Sequence, residues 1–141
     1  MTVKDVTAAL RAHLLADADV AATVGTRIHP GVLPQGQRTA SVVVNLISAV
    51  GDHHMTGPSG LGRPRLQLTA WAPTPDDADT LARQVKTSLD GFSGAVAYGS
   101  ASPQASVTVQ GVFFDSARDG YDDVARLFFV QQDFLIWFEE S

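Results

Sequence analysis

The chain has 141 residues, of which 45% are hydrophobic and 18% charged, a size and make-up that suit one globular domain, 1–141, whose core needs no disulfide or metal to hold it. The charged share lies below the roughly 25% usual for soluble domains, which leaves few repelling charges on the surface and suits a protein that assembles. Ten Lys and Arg against fifteen Asp and Glu give a net charge of −5, and the closest basic pair is Arg63 and Arg65, so the clustered cations of a phosphate-gripping nucleic-acid binder are missing.

The opening residues, Met1-Thr2-Val3-Lys4-Asp5, lack the basic segment and apolar run of an export signal. They read as a helix start, with Thr2 as N-cap, Asp5 as its capping-box partner, and Val3, Val6, Leu10 and Leu14 at helical spacing as far as Asp17. Ala18 to Val24 adds a short turn or helix that Gly25 stops, Arg27-Ile28-His29 before Pro30 is a brief extended segment, and Gly31 to Arg38 is a loop. Ala40 to Ile47 is apolar on both faces apart from Asn45, which predicts a strand covered on both sides. Val50 to Gly62 is much longer than a tight hairpin turn, and loops of that length in compact domains are functional or mobile. Arg65 to Trp71 alternates, with Leu66, Leu68 and Ala70 facing one way and Arg65, Gln67 and Thr69 the other.

Thr74 then caps the clearest helix, with Pro75 at its first position, Asp76 and Asp77 complementing its dipole, and a buried stripe of Ala78, Leu81, Ala82, Val85 and Leu89 that Gly91 ends. Beyond Gly94 the pattern turns to strands: Ala95 to Tyr98, Val107 to Phe114 with a bulge at Gly111, and a long run from about Arg126 to Phe138. A polar turn, Asp115 to Asp123, is expected between the last two. In the final run Phe128, Val130, Phe134, Ile136 and Phe138 share one parity, interrupted by Gln132, and a strand so long is expected to project from the sheet or meet a neighbouring subunit. The order predicts an α+β domain: a mainly antiparallel sheet of about four to five strands, two helices packed on one face, and a long β-hairpin loop. No apolar stretch is long enough for a membrane span.

Chemistry finds little anchor. The absence of cysteine excludes a disulfide framework, a thiolate nucleophile, Cys-ligated zinc and iron–sulfur clusters, with a reducing cytoplasm as the default compartment. Asp52-His53-His54 has the letters of a divalent-metal phosphoesterase, yet such enzymes need further Asp and His motifs and a larger chain, and neighbouring side chains on extended backbone point apart. A solvated loop tip is the plainer reading, with a titrating interface between the two. Asp115-Ser116-Ala117-Arg118-Asp119-Gly120 resembles the start of a calcium loop, but Ala117 stands where an oxygen ligand belongs and Arg126 replaces the bidentate Glu, so it reads as an acidic turn. Gly57 to Gly62 is glycine-rich without the Lys and Ser/Thr of a phosphate loop. No serine sits in a nucleophile motif, and the aromatics from Phe113 to Phe138, without interleaved cations, suit core and subunit contact better than base stacking.

One segment carries a family likeness. Asp52-His53-His54-Met55-Thr56-Gly57-Pro58-Ser59-Gly60-Leu61, followed by Arg63-Pro64-Arg65-Leu66-Gln67-Leu68 and Trp71, resembles the centre of the tail completion, or tail terminator, proteins of long-tailed bacteriophages and gene transfer agents. Arg27-Ile28-His29-Pro30-Gly31, the helix after Trp71, Gly111-Val112-Phe113 with its acidic turn, and Gln132-Asp133-Phe134-Leu135-Ile136-Trp137 follow in the same order. The resemblance implies a structural subunit without cofactor or turnover. It forms a ring, usually a hexamer, that caps the tail tube at its head-proximal end. Its implied partners are copies of itself, the tail tube protein and the head completion or stopper protein of the connector; DNA passes without specific binding and no membrane takes part. It is assembled in the host cytoplasm and works in the virion. Candidate interface loops are then Asp52, His53, His54, Met55, Leu61 and Arg63 on one side, and Asp115, Arg118, Asp119 and Tyr121 on the other. The alternatives are a small metal-dependent hydrolase using Asp52, His53, His54 and His29, and a small ligand-binding α+β module.

Overall fold

In the computed structural model, which describes residues 3–48, 51–54, 57–62, 64–99 and 105–139, each helix forms where a cap meets an apolar stripe. Helix α1 spans Val3–Ala16, and Asp17 then interrupts it: its Oδ1 accepts the N–H groups of Asp19 and Val20, starting a separate helix α2, Ala18–Val24. The expected cap at Thr2 and the Asp5 side chain lie outside the described residues. Helix α3, Pro75–Leu89, starts as its sequence predicts, with Thr74 Oγ1 accepting the Asp77 N–H at 3.1 Å. At its end the Gly91 N–H, placed by a φ of +80°, donates to the Val112 carbonyl, and Asp90 Oδ1 accepts the Phe114 N–H.

Eight strands join in one mixed sheet: β1 (Ile28–Pro30), β2 (Ser41–Ser48), β3 (Gly51–His54), β4 (Gly57–Gly62), β5 (Arg65–Ala72), β6 (Gly94–Tyr98), β7 (Ala105–Asp122) and β8 (Leu127–Glu139). The last strand is its axis. On one side β5 pairs with it from Phe128 to Leu135 and β4 takes over at Phe138 and Glu139; on the other β7 runs beside it from Leu127 to Phe138. Outside β5 lies β2, with the short β1 parallel to it, and outside the first part of β7 lies β6.

The helices supply the core. Leu66, Leu68 and Ala70 of β5, Phe134, Ile136 and Phe138 of β8, and Val107, Val109 and Val112 of β7 pack with Val6, Leu10 and Leu14 of α1 and Leu81, Val85 and Leu89 of α3. Each of the larger side chains contributes roughly 1.5–3 kcal/mol by leaving water. Gln132, the polar break in the apolar parity of β8, is buried against α3 and donates from Nε2 to the Ala82 carbonyl at 3.0 Å, which gives its buried amide a partner.

The α+β class stands, and five details differ from the sequence expectation. The described residues form three helices and eight strands instead of two and four to five. The long Val50–Gly62 loop is itself a paired hairpin in its described part, β3 with β4, continuing the β2–β5 hairpin outward. The acidic segment is strand, not turn: β7 continues to Asp122 and the reversal is confined to 123–126, where Asp122 Oδ1 accepts the N–H groups of Val124 and Ala125 and Arg126 takes a φ of +57°. Polar residues hold a strand there because the long β8 offers a ladder and because their partners lie on neighbouring strands. β8 itself does not project from the sheet; it is flanked over its length. The expected bulge lies one residue earlier than Gly111, at Gln110, and a second falls at Asp115.

Candidate assembly surfaces

Alternation along β5 and β8 sends Arg65, Gln67, Gln131 and Asp133 to the face that the helices leave uncovered, and the register sets them side by side. Arg65 Nη1 donates to Asp115 Oδ2 at 2.6 Å and to Asp133 Oδ2 at 3.2 Å, and Gln67 Nε2 donates to Asp133 Oδ1 at 3.2 Å. The Asp115 bulge lets its carboxylate reach Arg65 across two strands. The hydrogen bond to Asp115 raises the pKa of Arg65, partial burial opposes the rise, and the attraction of Asp115 and Asp133 adds to it; the guanidinium is charged at every physiological pH. Next along β7, Arg118 Nε donates to Gln131 Oε1 at 2.6 Å while its guanidinium lies 6.0 Å from the Phe129 ring centre.

Aromatics flank this polar centre. Phe113 and Trp137 meet edge-on at 6.4 Å on one side, and Trp71 and Phe129 pair at 5.2 Å on the other. Phe129 lies over Gly120, where a Cβ would come within 2.6 Å of the ring, so this glycine is needed for the close approach. Near Trp71 the 33–38 loop and the 123–126 turn leave a cleft of about 540 Å³ lined by Leu33, Pro34, Trp71 and Ala125, with Arg38 and Asp122 beside them. It supplies apolar walls, while the Asp122 carboxylate is engaged in the turn.

The candidate residues of the sequence fall into two groups. Asp115, Arg118, Asp119 and Tyr121 do come together on β7, though as strand positions: the first two join the polar network, Asp119 is exposed, and the Tyr121 ring lies 4.8 Å from Phe128. The calcium-loop likeness thus sits on extended backbone. Asp52, His53 and His54 lie on β3, with His53 opposite Pro58 and His54 opposite Gly57, and Leu61 lies on β4 opposite Glu139; Met55 and Arg63 lie outside the described residues. Sequence reasoning missed Arg65, Gln67 and Asp133 as a cluster, although the outward parity of Arg65 and Gln67 was a usable sign. It also missed Leu46 and Ile47, about half exposed at the end of β2. Among the described residues no group of three metal-ligating side chains converges, and no helix is long and apolar enough to cross a membrane.

A sheet with helices on one side and polar and aromatic groups on the other is equipped for contact with other proteins. The family model of tail completion protein gp17 matches residues 8–139. The chain belongs to the tail completion protein gp17 family. Membership makes it a structural tail protein and places it in the virion. No curated protein matches the sequence. Among solved structures, a chain from a "virion of native gene transfer agent (GTA) particle" is similar in fold, with a TM-score of 0.73 at 20% identity over 94% of this chain and 92% of that one. The likeness therefore covers nearly the whole of both chains.

Proposed function

We propose that this tail completion protein forms a ring, a hexamer, that caps the finished tail tube at its head-proximal end, ends tail assembly and joins the tail to the head connector. The family match over residues 8–139 carries the reading. The helix-free face supports it, because a polar centre between half-buried aromatic pairs is the composition of a protein–protein contact. A cyclic ring buries one set of surfaces at every junction by rotation alone, and the two long hairpins give it reach. The tube protein and the connector's stopper protein are the partners on its two sides, with β3–β4 and the β7–β8 hairpin as contact elements.

DNA would pass such a ring without being held. The net charge of −5 and the pairing of Arg65 with two carboxylates leave Arg118 without a neighbouring free cation among the described residues of this face, too little for a phosphate grip. Assembly takes place in the host cytoplasm and the work is done by shape, without turnover or cofactor. The test is an electron micrograph of tails made without this protein. Overlong or headless tails, restored by supplying the protein, are expected; tails of normal length joined to heads would refute the proposal. Light scattering of the pure protein, alone and with tubes, reads the ring directly.

A further inference from the structure

Two open stretches of the sheet's edge match one another. In β2 the Val42 N–H donates to the Arg27 carbonyl and the Val44 carbonyl accepts the Gly31 N–H, so even-numbered residues turn their main-chain groups toward β1. Pairing with β1 ends at Val44, and Leu46, two residues on, turns the same groups outward with no partner among the described residues. On β7, Val112 and Phe114 also turn outward, where the Val112 carbonyl accepts the Gly91 N–H and the Phe114 N–H donates to Asp90 Oδ1. After the Asp115 bulge, alternation turns Ala117, Asp119 and Tyr121 outward, beyond the reach of β6, which ends opposite Val109. Their outward groups likewise have no partner among the described residues.

The side chains fit as well. Leu46 lies opposite Leu66, on the helix side of the sheet, and is about half exposed. Asp119 and Tyr121 lie opposite Val130 and Phe128, on that same side. Beside them, between the first turn of α3 and the hairpin, is a groove of about 360 Å³ lined by Pro75, Ala78, Tyr121, Phe128 and Val130. Strands β2 and β7 run in opposite directions within the sheet, so a second copy in the same orientation meets this edge antiparallel. The offset between the two open stretches is then a shear, which tilts the strands to the ring axis as a closed sheet requires.

From this we infer that the ring is closed by strand pairing: the Leu46 edge of one copy adds to the Ala117–Tyr121 edge of the next, with Leu46 seated in the groove. A second copy is the occupant because the chain carries both halves of the contact, and a closed ring leaves neither of these two stretches unpaired. The inference rests on the ring proposed above and adds its contact.

With no native cysteine, disulfide cross-linking reads the contact. Leu46→Cys mixed with Asp119→Cys should give one disulfide dimer of unlike chains, and the double variant a ladder of covalent oligomers, in solution or on tubes. Homodimers of Leu46→Cys alone, or an intact oligomer that yields no mixed cross-link, would overturn the strand-pairing contact and leave the ring standing. Ala117→Pro removes an outward N–H that no internal bond uses; it should keep the circular dichroism spectrum and lose the oligomer peak. Leu46→Lys should do the same and guards against misfolding of the proline variant. If both folded variants assemble normally, or lose only tube binding, the contact is wrong. A wild-type chain monomeric both alone and on tubes would instead remove the ring itself.

Discussion

Strand β8 has two faces with opposite fates. On its even parity Phe134, Ile136 and Phe138 are at most 1% exposed under the chain's own helices. On its odd parity Asp133 is held by Arg65 and Gln67, Gln131 by Arg118, and Trp137 stands beside Phe113, itself 51% exposed. From Phe134 to Phe138 the first face is completed by folding. The second is a surface whose polar groups are paired and whose aromatics keep area to offer, so stability and assembly should respond to different sides of the same strand.

The largest effect is expected on the covered side. Phe134→Ala should lower the unfolding free energy by about 3–5 kcal/mol, because it opens a cavity in a packed core, whereas Phe113→Ala on the other side should cost under about 1 kcal/mol and act mainly on assembly. Urea titration of both, with light scattering of the folded variants, checks the pair; equal losses of stability would break the comparison. Gly120→Val comes next at roughly 1–3 kcal/mol, since its Cβ would meet Phe129 at 2.6 Å and the ring cannot leave without losing its contact with Trp71. Thermal unfolding measures it, and a neutral result would mean that the aromatic layer of the uncovered face yields freely.

Local signals made the helix-covered half legible. Thr74 with Pro75, the period of α3 and the parity of β8 could be read directly, because caps and periodicities lie within a few residues of one another. The polar face was less legible, since Arg65, Asp115 and Asp133 lie 50 and 68 residues apart and meet only through strand register, which a single sequence does not encode locally. The acidic stretch from Asp115 misled for a related reason. Turn-forming residues beside a glycine predict a reversal, and here a bulge and cross-strand partners hold them extended. The open edge at Leu46 depends on how short β1 is, a property of Pro30 and the loop after it more than of β2.

A smaller change is expected at the turn between β7 and β8. Asp122→Ala removes the acceptor for the Val124 and Ala125 N–H groups at 2.9 and 2.8 Å and should cost about 1 kcal/mol in urea titration. That would leave the core intact but loosen the tip.

The smallest effect should come from the ion pair itself. Its groups are partly solvated, so Arg65→Gln is expected to move the thermal midpoint little, and less still as salt is added. The sign of any pH dependence follows from the raised Arg65 pKa: the stabilisation is complete below the ordinary guanidinium value and is lost only as pH climbs through the still higher folded value. The difference between wild type and Arg65→Gln should therefore stay flat from about pH 7 to about pH 9. A difference that shrinks over that range would mean that some other group titrates against this face, and the division between a folding side and an assembling side would have to be redrawn around it.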